Sequence, residues 1–289
     1  MPSPIDRAAL KMNLRRARRL GADIGAADFV AREIDLRMQE RLDYVRLAPQ
    51  RILDLGCGDG GHSLAALRGR YPDACCVGVD AETSLLLHTK ATGGLYLAAD
   101  AERLPLPDDS FDLVWANLLL PWLANPLAMA REALRVLQPG GLLMLSALGP
   151  DTLRELRAGF ADGYAHTQAF IDLHDLGDLL LDAGFADPVA DMEMLTLTYT
   201  RLDALIAELR AAGVTCAMQN RRKSLAGRSL RQSLAAHYEN LRAGREDGRL
   251  PVSVEIVYAH AWKSGDGGRV TGDRMKSVAP IRFMGRGRV

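Results

Sequence analysis

Short apolar runs alternate with amphipathic stretches through the first half of the chain. The apolar runs predict five strands, at residues 51–55, 75–80, 95–99, 111–117 and 142–147. Three stretches with apolar residues at helical spacing separate these strands, at residues 63–70, 83–89 and 125–136. Strands that are apolar on both faces are typical of a parallel sheet covered by helices. We therefore expect a doubly wound α/β fold, with its ligand at the carboxyl ends of the strands.

Helical patterns flank this alternating region on both sides. A helix is predicted at residues 27–47, after a basic N-terminal helix. Later residues predict helices at 172–184, 201–212 and 228–241, and strands at 189–199 and 252–262. The expected sheet is seven-stranded and mostly parallel. We expect one domain over 1–263, with N-terminal helices (1–48), a ligand-binding core (49–148), a helical insertion before the last strand (200–250) and a C-terminal tail (264–289).

Charge is balanced overall but unevenly distributed. The 289 residues are 48% hydrophobic and 25% charged with zero formal net charge, which is ordinary for a globular protein. Residues 1–20 hold six basic side chains against one acid, and residues 221–249 hold eight against three. Residues 51–130 hold five basic side chains against ten acids. The two basic segments are solvated helix faces or, if they fold together, a surface for an acidic partner. We expect neither nucleic acid nor membrane as a partner.

The cysteines indicate a reduced compartment. None of the four lies at CxxC spacing, so we expect no metal site and no disulfide framework. No apolar stretch reaches the length of a membrane span. The arginine-rich N-terminus continues as a helical pattern into the domain, which favours a docking helix over a transit peptide. We expect a cytoplasmic protein.

The stretch RILDLGCGDGGHS, residues 51–63, combines a strand with a glycine-rich turn. Glycines at 56, 58 and 60 let the backbone lie flat against a nucleotide-like ligand. Gly56, Gly58 and Gly61 also satisfy the dinucleotide fingerprint, but Asp54 at the end of the strand would repel a pyrophosphate. A carboxylate there suits the amino group of a cationic ligand instead.

Two further acids end the next two predicted strands. Asp80 ends the second strand, where a carboxylate accepts hydrogen bonds from both hydroxyls of a ribose. Asp100 and Ala101 follow the third strand, at a position suited to an adenine amino group. The alternative is that each aspartate is only a strand-end or helix-cap residue. Together with the glycine turn, the three acids favour a nucleoside that carries an amino acid.

The motifs LDLGCGDG, VGVD, AADAERLPLPDDSFDLVWAN and ALRVLQPGGLLMLS, in this order, resemble those of class I S-adenosylmethionine-dependent methyltransferases. The resemblance implies S-adenosylmethionine as the cofactor. It implies that Asp54, Gly56, Gly58 and Gly60 line the methionine moiety, that Asp80 and the adjacent Ala81 bind the ribose, that Asp100 and Ala101 bind adenine, and that Asn117 closes the pocket. We assign no catalytic residue from these motifs. If the methyl acceptor is a carboxylate, it is already ionised at neutral pH and needs no general base.

The second half narrows the resemblance. Segments LGPDTLRELR, HTQAFIDLHDLGDLLLDAGF, NRRKSLAGRSLRQSL and GRLPVSVEIVYAHAWK resemble the malonyl-acyl-carrier-protein O-methyltransferases of biotin synthesis. This resemblance implies methyl transfer to the free carboxylate of a malonyl thioester on phosphopantetheine, with an acidic acyl carrier protein as partner. The candidate substrate or carrier contacts are Trp122, His174, Arg221, Arg222, Lys223 and Arg228.

Two positions depart from the pattern of that family. Its members carry Gln or His before the tryptophan that follows the fourth strand, whereas Leu120 and Pro121 precede Trp122 here. They also carry a tyrosine in the N-terminal helical region, whereas the first tyrosine of this chain is Tyr44. Two alternatives therefore stay open. One is a resemblance to methyltransferase-like assembly factors of respiratory complex I, which are linked to arginine hydroxylation; the other is a non-catalytic cofactor-binding scaffold.

Overall fold

Seven strands form one sheet in the computed structural model, which describes residues 5–19, 29–58, 62–86, 94–160, 162–224 and 227–265. The strands are β1 (Arg51–Leu55), β2 (Cys75–Asp80), β3 (Leu95–Ala98), β4 (Phe111–Ala116), β5 (Leu137–Leu148), β6 (Ala186–Tyr199) and β7 (Leu250–Trp262). Their spatial order is β3-β2-β1-β4-β5-β7-β6. The first five strands are parallel, and β7 runs antiparallel between β5 and β6. The predicted doubly wound, mostly parallel, seven-stranded fold is confirmed.

Helices cover both faces of this sheet. They are α1 (Arg7–Arg19), α2 (Phe29–Arg41), α3 (Ser63–Arg70), α4 (Thr83–Leu86), α5 (Pro126–Val136), α6 (Arg154–Ala158), α7 (Leu173–Ala183), α8 (Leu202–Ala211) and α9 (Arg228–Ala243). Short 3₁₀ turns follow α2 and β4, at Leu42–Tyr44 and Leu120–Trp122. None of these described helices combines the length and the apolar character needed to cross a membrane.

The central strands of the sheet are buried on both sides, which explains their continuous apolar sequences. On one face, Met129 of α5 and Leu176 of α7 pack on strand residues such as Val114. On the other face, α2 and α3 pack on the alternate strand positions, with Ile34 and Leu67 fully buried. Burying a side chain of this size stabilises the fold by about 1.5–3 kcal/mol. Alternate residues of each central strand therefore enter two different apolar layers, and no polar face is exposed.

Two predicted boundaries need correction. The helix predicted over residues 27–47 ends at Arg41, since a 3₁₀ turn and extended backbone at Val45 lead the chain into β1; its first two residues lie outside the described part. The strand predicted at residues 142–147 begins earlier, at Leu137, so Pro139, Gly140 and Gly141 lie inside β5. Gly140 adopts a φ of +80°, and the backbone of Lys263 pairs with both Gly140 and Gly141, so the strand continues through a register shift.

Two other differences involve the later part of the chain. β6 begins at Ala186 rather than residue 189, with a register irregularity beside Asp187, whose φ is +48°. The short helix α6 was not predicted, because five residues hold too little periodic signal.

The helix predicted at 83–89 is described only as far as Leu86, and the rest of that prediction lies outside the described residues.

A buried carboxylate joins α2 to the sheet. Asp35 is fully buried and accepts hydrogen bonds from Trp115 Nε1 (2.9 Å) and Gln39 Nε2 (2.7 Å). Trp115 is among the largest fully buried side chains and lies near the carboxyl end of β4. Its indole N–H would otherwise be buried without a partner, which is costly. Asp35 therefore fixes the position of α2 on this face of the sheet.

We expect Asp35→Ala to lower the free energy of unfolding by about 1–3 kcal/mol, because it leaves the Trp115 N–H buried and unpaired. Urea denaturation followed by tryptophan fluorescence measures this change. The matched control is Asp43→Ala, which removes an ion pair to Arg70 from a side chain that is 63% exposed, and should cost about 0–1 kcal/mol. Equal effects of the two substitutions would contradict the assigned role of Asp35.

Candidate active site

A large cavity of about 1530 Å³, here called the main cavity, opens at the carboxyl ends of the parallel strands. One half is formed by the residues that follow β1, β2, β3 and β4, together with α1. The other half is formed by α6, α8, α9 and the carboxyl end of β6. The position matches the general rule that ligands of open α/β sheets bind beyond the carboxyl ends of the strands.

The residues predicted to bind a cofactor meet in the first half of this cavity. Those that line it are Asp54, Gly56, Gly58, Asp80, Ala81, Asp100, Ala101 and Asn117. Gly60 lies outside the described residues. The elements that carry them are separate in sequence, and the parallel sheet brings their ends together. Their convergence satisfies the geometric condition that the sequence-based assignment requires.

The turn after β1 depends on two glycines with positive φ. Gly56 (φ +72°) would place a Cβ atom 2.7 Å from Leu119 Cδ1, so any larger residue is both strained and crowded. Gly58 (φ +60°) has open space around its missing Cβ, on the wall of the cavity. The backbone N–H of Gly58 donates to Asp80 Oδ2 (3.0 Å). The turn thus presents bare backbone to a ligand and is tied to β2.

Asp54 carries the strongest electrostatic signal of the site. Its side chain is 2% exposed, and its Oδ2 atom has no hydrogen-bond partner among the described residues. Burial, and then the nearby Asp35 and Asp80, raise the pKa of Asp54 well above its ordinary value. A buried carboxylate of this kind is stabilised by a cationic partner. The amino group of S-adenosylmethionine is a group of that charge and fits this acid.

Asp80 and Asp100 end the two neighbouring strands with different environments. Asp80 accepts hydrogen bonds from the backbone of Gly58 (3.0 Å) and Glu82 (2.8 Å), which fixes its carboxylate on the cavity wall. Asp100 forms an ion pair with Arg7 of α1 (2.7 Å), and Arg7 also reaches Glu102 (2.8 Å). Burial opposes ionisation, but hydrogen bonds from Glu102 and Arg7 lower the pKa of Asp100. Helix α1 is therefore bound to the adenine end of the predicted site.

Asn117 lines the main cavity and is held by hydrogen bonds to two neighbouring elements. Its Nδ2 donates to the carbonyl of Ala31 on α2 (2.9 Å), and its Oδ1 accepts from Ser146 Oγ on β5 (2.7 Å). Ser146 Oγ also accepts from the backbone of Leu118 (3.0 Å). The side-chain amide is thus engaged within the protein. Asn117 closes this side of the cavity by fixing α2 against β4 and β5.

The second half of the cavity has a largely apolar wall that β7 holds in place. Ser253 Oγ donates to Glu155 (2.6 Å), and the backbone of Asp151 donates to Glu255 (2.6 Å). These bonds fix the segment that leads into α6. The apolar residues on this wall include Leu153, Leu156, Phe160, Leu205, Leu234 and Val252. An elongated apolar ligand is the kind that such a wall accommodates.

Four polar or aromatic residues of this half were missed by the sequence analysis: His166, Gln168, Phe170 and Tyr199. His166 stacks on Phe160 (centroids 3.6 Å apart), and its Nε2 lies 2.7 Å from Asp162 Oδ1. That hydrogen bond, the largest contribution, lowers the pKa of Asp162 to about 2. The signal was the polar HTQAF stretch outside any predicted element, in which three of the four lie.

The predicted substrate contacts divide into three groups. Trp122 lines the main cavity, next to Pro121. Arg221 and Arg222 line a second cavity beside it. The remaining three residues, His174, Lys223 and Arg228, are exposed and line neither cavity. His174 lies in the first turn of α7, where its backbone N–H donates to Asp172 Oδ1 (2.8 Å).

Comparisons with known proteins agree with this geometry. A methyltransferase-domain family model matches residues 53–145. The chain is 41% identical over 273 residues to the malonyl-[acyl-carrier protein] O-methyltransferase of Laribacter hongkongensis, covering 89% of this chain and 90% of that protein. It is 42% identical to the protein of the same name from a Methylovorus species, with 90% of each covered. The crystal structure of YcgJ from Bacillus subtilis shares the fold (TM-score 0.55, 17% identity, 78% of this chain and 97% of that one).

Sheet order, glycine turn and strand-end acids define a class I methyltransferase that uses S-adenosylmethionine as its cofactor. The matches over about nine tenths of the chain extend well beyond the domain common to that class. The chain belongs to the malonyl-[acyl-carrier protein] O-methyltransferase family. No group of side chains able to hold a metal ion occurs within the described ranges.

Asp54 should make the stability of the cofactor-free protein depend on pH. Its pKa in the fold is raised above the unfolded value of about 3.9, so between these two pKa values the folded protein binds more protons than the unfolded chain. The contribution of Asp54 to the free energy of unfolding therefore falls as the pH rises from its unfolded pKa to its folded pKa. We expect Asp54→Asn to remove this slope, to be more stable than the wild type above that pH range and to lose cofactor affinity.

Urea unfolding from pH 4 upwards, paired with calorimetry of S-adenosylmethionine binding, measures both effects of Asp54→Asn. The matched control is Asp73→Asn, an exposed carboxyl before the amino end of β2 that lines neither cavity. It should change neither the slope nor the affinity. Retention of wild-type affinity by Asp54→Asn would remove Asp54 from the cofactor site.

Asp80→Ala should weaken cofactor binding by about 1–3 kcal/mol, because ribose hydroxyls lose a charged acceptor. Titration calorimetry with S-adenosylhomocysteine, the demethylated product, gives the change without turnover. Asp73→Ala, at the opposite end of the same strand, is the control. Unchanged affinity for Asp80→Ala would show that Asp80 serves only the turn after β1.

Proposed function

We propose that this chain transfers the methyl group of S-adenosylmethionine to the free carboxylate of malonyl-acyl carrier protein, a step of biotin synthesis. The observation that carries the proposal is one cavity with two different halves. An acid-lined half suited to the cofactor joins an apolar half enclosed by residues after position 149. The named relatives match the chain through both halves.

Methyl transfer to a carboxylate asks little acid–base chemistry of the protein. The bound cofactor supplies an electrophilic methyl carbon on its sulfonium. A carboxylate acceptor is ionised at neutral pH, so no side chain has to remove a proton from it. The protein's part is to align the acceptor in line with the methyl group and to exclude water. Asp54, Asp80 and Asp100 would hold the cofactor. Leu153 and Leu156 form part of the apolar wall of the same cavity.

The two departures from the family pattern can be accommodated in this cavity. Pro121 and Trp122 form an apolar section of the wall, where other members carry a side chain able to donate a hydrogen bond. Tyr44 is 84% exposed in its 3₁₀ turn, so it does not replace the missing N-terminal tyrosine. Polar contacts to the acceptor would come from other parts of the wall, where His166, Gln168 and Tyr199 lie.

An acidic carrier protein as the partner is supported by charge. The basic N-terminal helix and the basic segment after residue 220 meet in the fold, because Arg221 forms an ion pair with Asp6 (2.9 Å) next to the start of α1. Complementary charge steers association between proteins and fixes their orientation. We also infer a cytoplasmic location. The four cysteines are free thiols, which fits a reduced compartment.

The direct test is transfer of radiolabelled methyl to malonyl-acyl carrier protein. We expect label on the carrier that mild base releases, since the product is a methyl ester. Acetyl-acyl carrier protein is the matched control substrate, because it has the same carrier and thioester but no free carboxylate, and it should remain unlabelled. The cellular counterpart is growth without biotin of a strain that lacks its own enzyme of this family.

Absence of transfer to malonyl-acyl carrier protein, in protein that binds S-adenosylmethionine, would remove the proposed reaction. Arginine hydroxylation of a protein subunit and a non-catalytic scaffold would then be the remaining functions to assay. Equal labelling of the acetyl and malonyl carriers would also count against it, since the acceptor would not be the malonyl carboxylate.

A further inference from the structure

A second cavity of about 440 Å³ adjoins the substrate half of the main cavity. The two cavities share the wall residues Phe160, His166, Arg210, Thr215, Cys216 and Leu230. The second cavity also has four arginines on its wall: Arg16, Arg210, Arg221 and Arg222. It is therefore a basic space at the border of an apolar one, formed by α1, α8 and the segment after residue 220.

The four arginines differ in their partners. Arg221 pairs with Asp6 (2.9 Å), and Arg222 pairs with Asp162 (3.1 Å), so each of these charges is already balanced. Arg16 and Arg210 are exposed, and neither forms an ion pair with any residue that the structure describes. The two acids compensate two of the four positive charges. The second cavity is thus left with two positive charges for an anion.

Arg16 and Arg210 are brought together by the packing of two helices. α1 packs on α8, and Asn13 Nδ2 of α1 donates to the carbonyl of Thr215 just beyond α8 (3.0 Å). The isolated bridge between Ile5 and Met218 fixes the start of the same contact. Neither helix alone forms a site. Arg16 and Arg210 line one cavity only because α1 is docked on this part of the chain.

Gln168, on the wall of the main cavity, provides an independent observation: one of its polar atoms lacks a hydrogen-bond partner within the described residues. It is 6% exposed and lines the main cavity, and its Nε2 donates to the carbonyl of Thr215 (3.1 Å), on the shared wall. Its Oε1 is buried and accepts no hydrogen bond within the described part of the chain. A buried acceptor without a partner is costly, so a ligand N–H donor is expected there. The amide groups of a pantetheine arm are such donors.

We propose that Arg16 and Arg210 bind the phosphate through which the substrate's pantetheine arm is joined to its carrier, an inference that rests on the proposed function. The phosphate lies at the end of the arm opposite the thioester, so binding it in the second cavity leaves the acyl end to enter the main cavity. Guanidinium groups form strong, directed hydrogen bonds to phosphate oxygens. Arg221 and Arg222, singled out by the sequence, act as positioning residues that hold Asp6 and Asp162.

Two small substrates separate the phosphate from the rest of the carrier: the malonyl thioester of 4′-phosphopantetheine and the malonyl thioester of pantetheine. For the wild-type protein we expect about tenfold lower KM for the phosphorylated substrate. We expect the double substitution Arg16→Gln/Arg210→Gln to remove this advantage while KM for the unphosphorylated substrate and both kcat values stay unchanged. Unchanged affinity for S-adenosylmethionine checks that the variant is folded.

The matched control is Arg46→Gln/Arg131→Gln, which removes two exposed arginines that line neither cavity. It should keep the full preference for the phosphorylated substrate. Equal KM values for the two substrates in the wild type, or a preference that survives Arg16→Gln/Arg210→Gln, would overturn this assignment with the proposed reaction intact. If the wild type methylates neither of the two thioesters nor the malonyl carrier, both this assignment and the proposed reaction are overturned.

Discussion

The placement of a single buried acid governs the cofactor half of this protein. Asp54 lies at the end of β1, almost without solvent contact, and its nearest charged neighbours, Asp35 and Asp80, are also acids. Such an arrangement costs free energy in the absence of a positive ligand. The sheet tolerates it because β1 is an interior strand, paired with β2 on one side and β4 on the other. An interior strand of the sheet thus holds a carboxylate whose surroundings disfavour its charge.

The other residues on this side of the cavity lie at the carboxyl ends of the parallel strands. The turn at Gly56 and Gly58 begins directly after Asp54, and its backbone is bonded to the carboxylate at the end of β2. Asp100 lies one strand further along, joined to α1 by Arg7. The turn, Asp80 and Asp100 are therefore all positioned at the carboxyl ends of neighbouring strands. The substrate half, in contrast, is assembled from segments that come together only in the tertiary fold.

The sequence predicted most of what is local and little of what is not. The strands and the glycine turn were predictable, because burial on both faces leaves a continuous apolar pattern and the positive φ of Gly56 favours glycine. The interruption of α2 at Arg41 and the continuation of β5 through Gly140 depend on neighbouring strands, which a local pattern does not contain. Arg16 and Arg210 line the same cavity although 194 positions of sequence separate them, and that arrangement has no local signature at all.

Antiparallel β7 has a practical consequence for work with the molecule. Because β7 runs opposite to its neighbours, Trp262 lies beside Leu142, at the sheet edge remote from the cavities. Lys263 is then held there by the carbonyl of Leu137 (2.7 Å) and by Asp109 (2.6 Å). Immobilising the enzyme on a solid support near this lysine would leave the main cavity facing the solution.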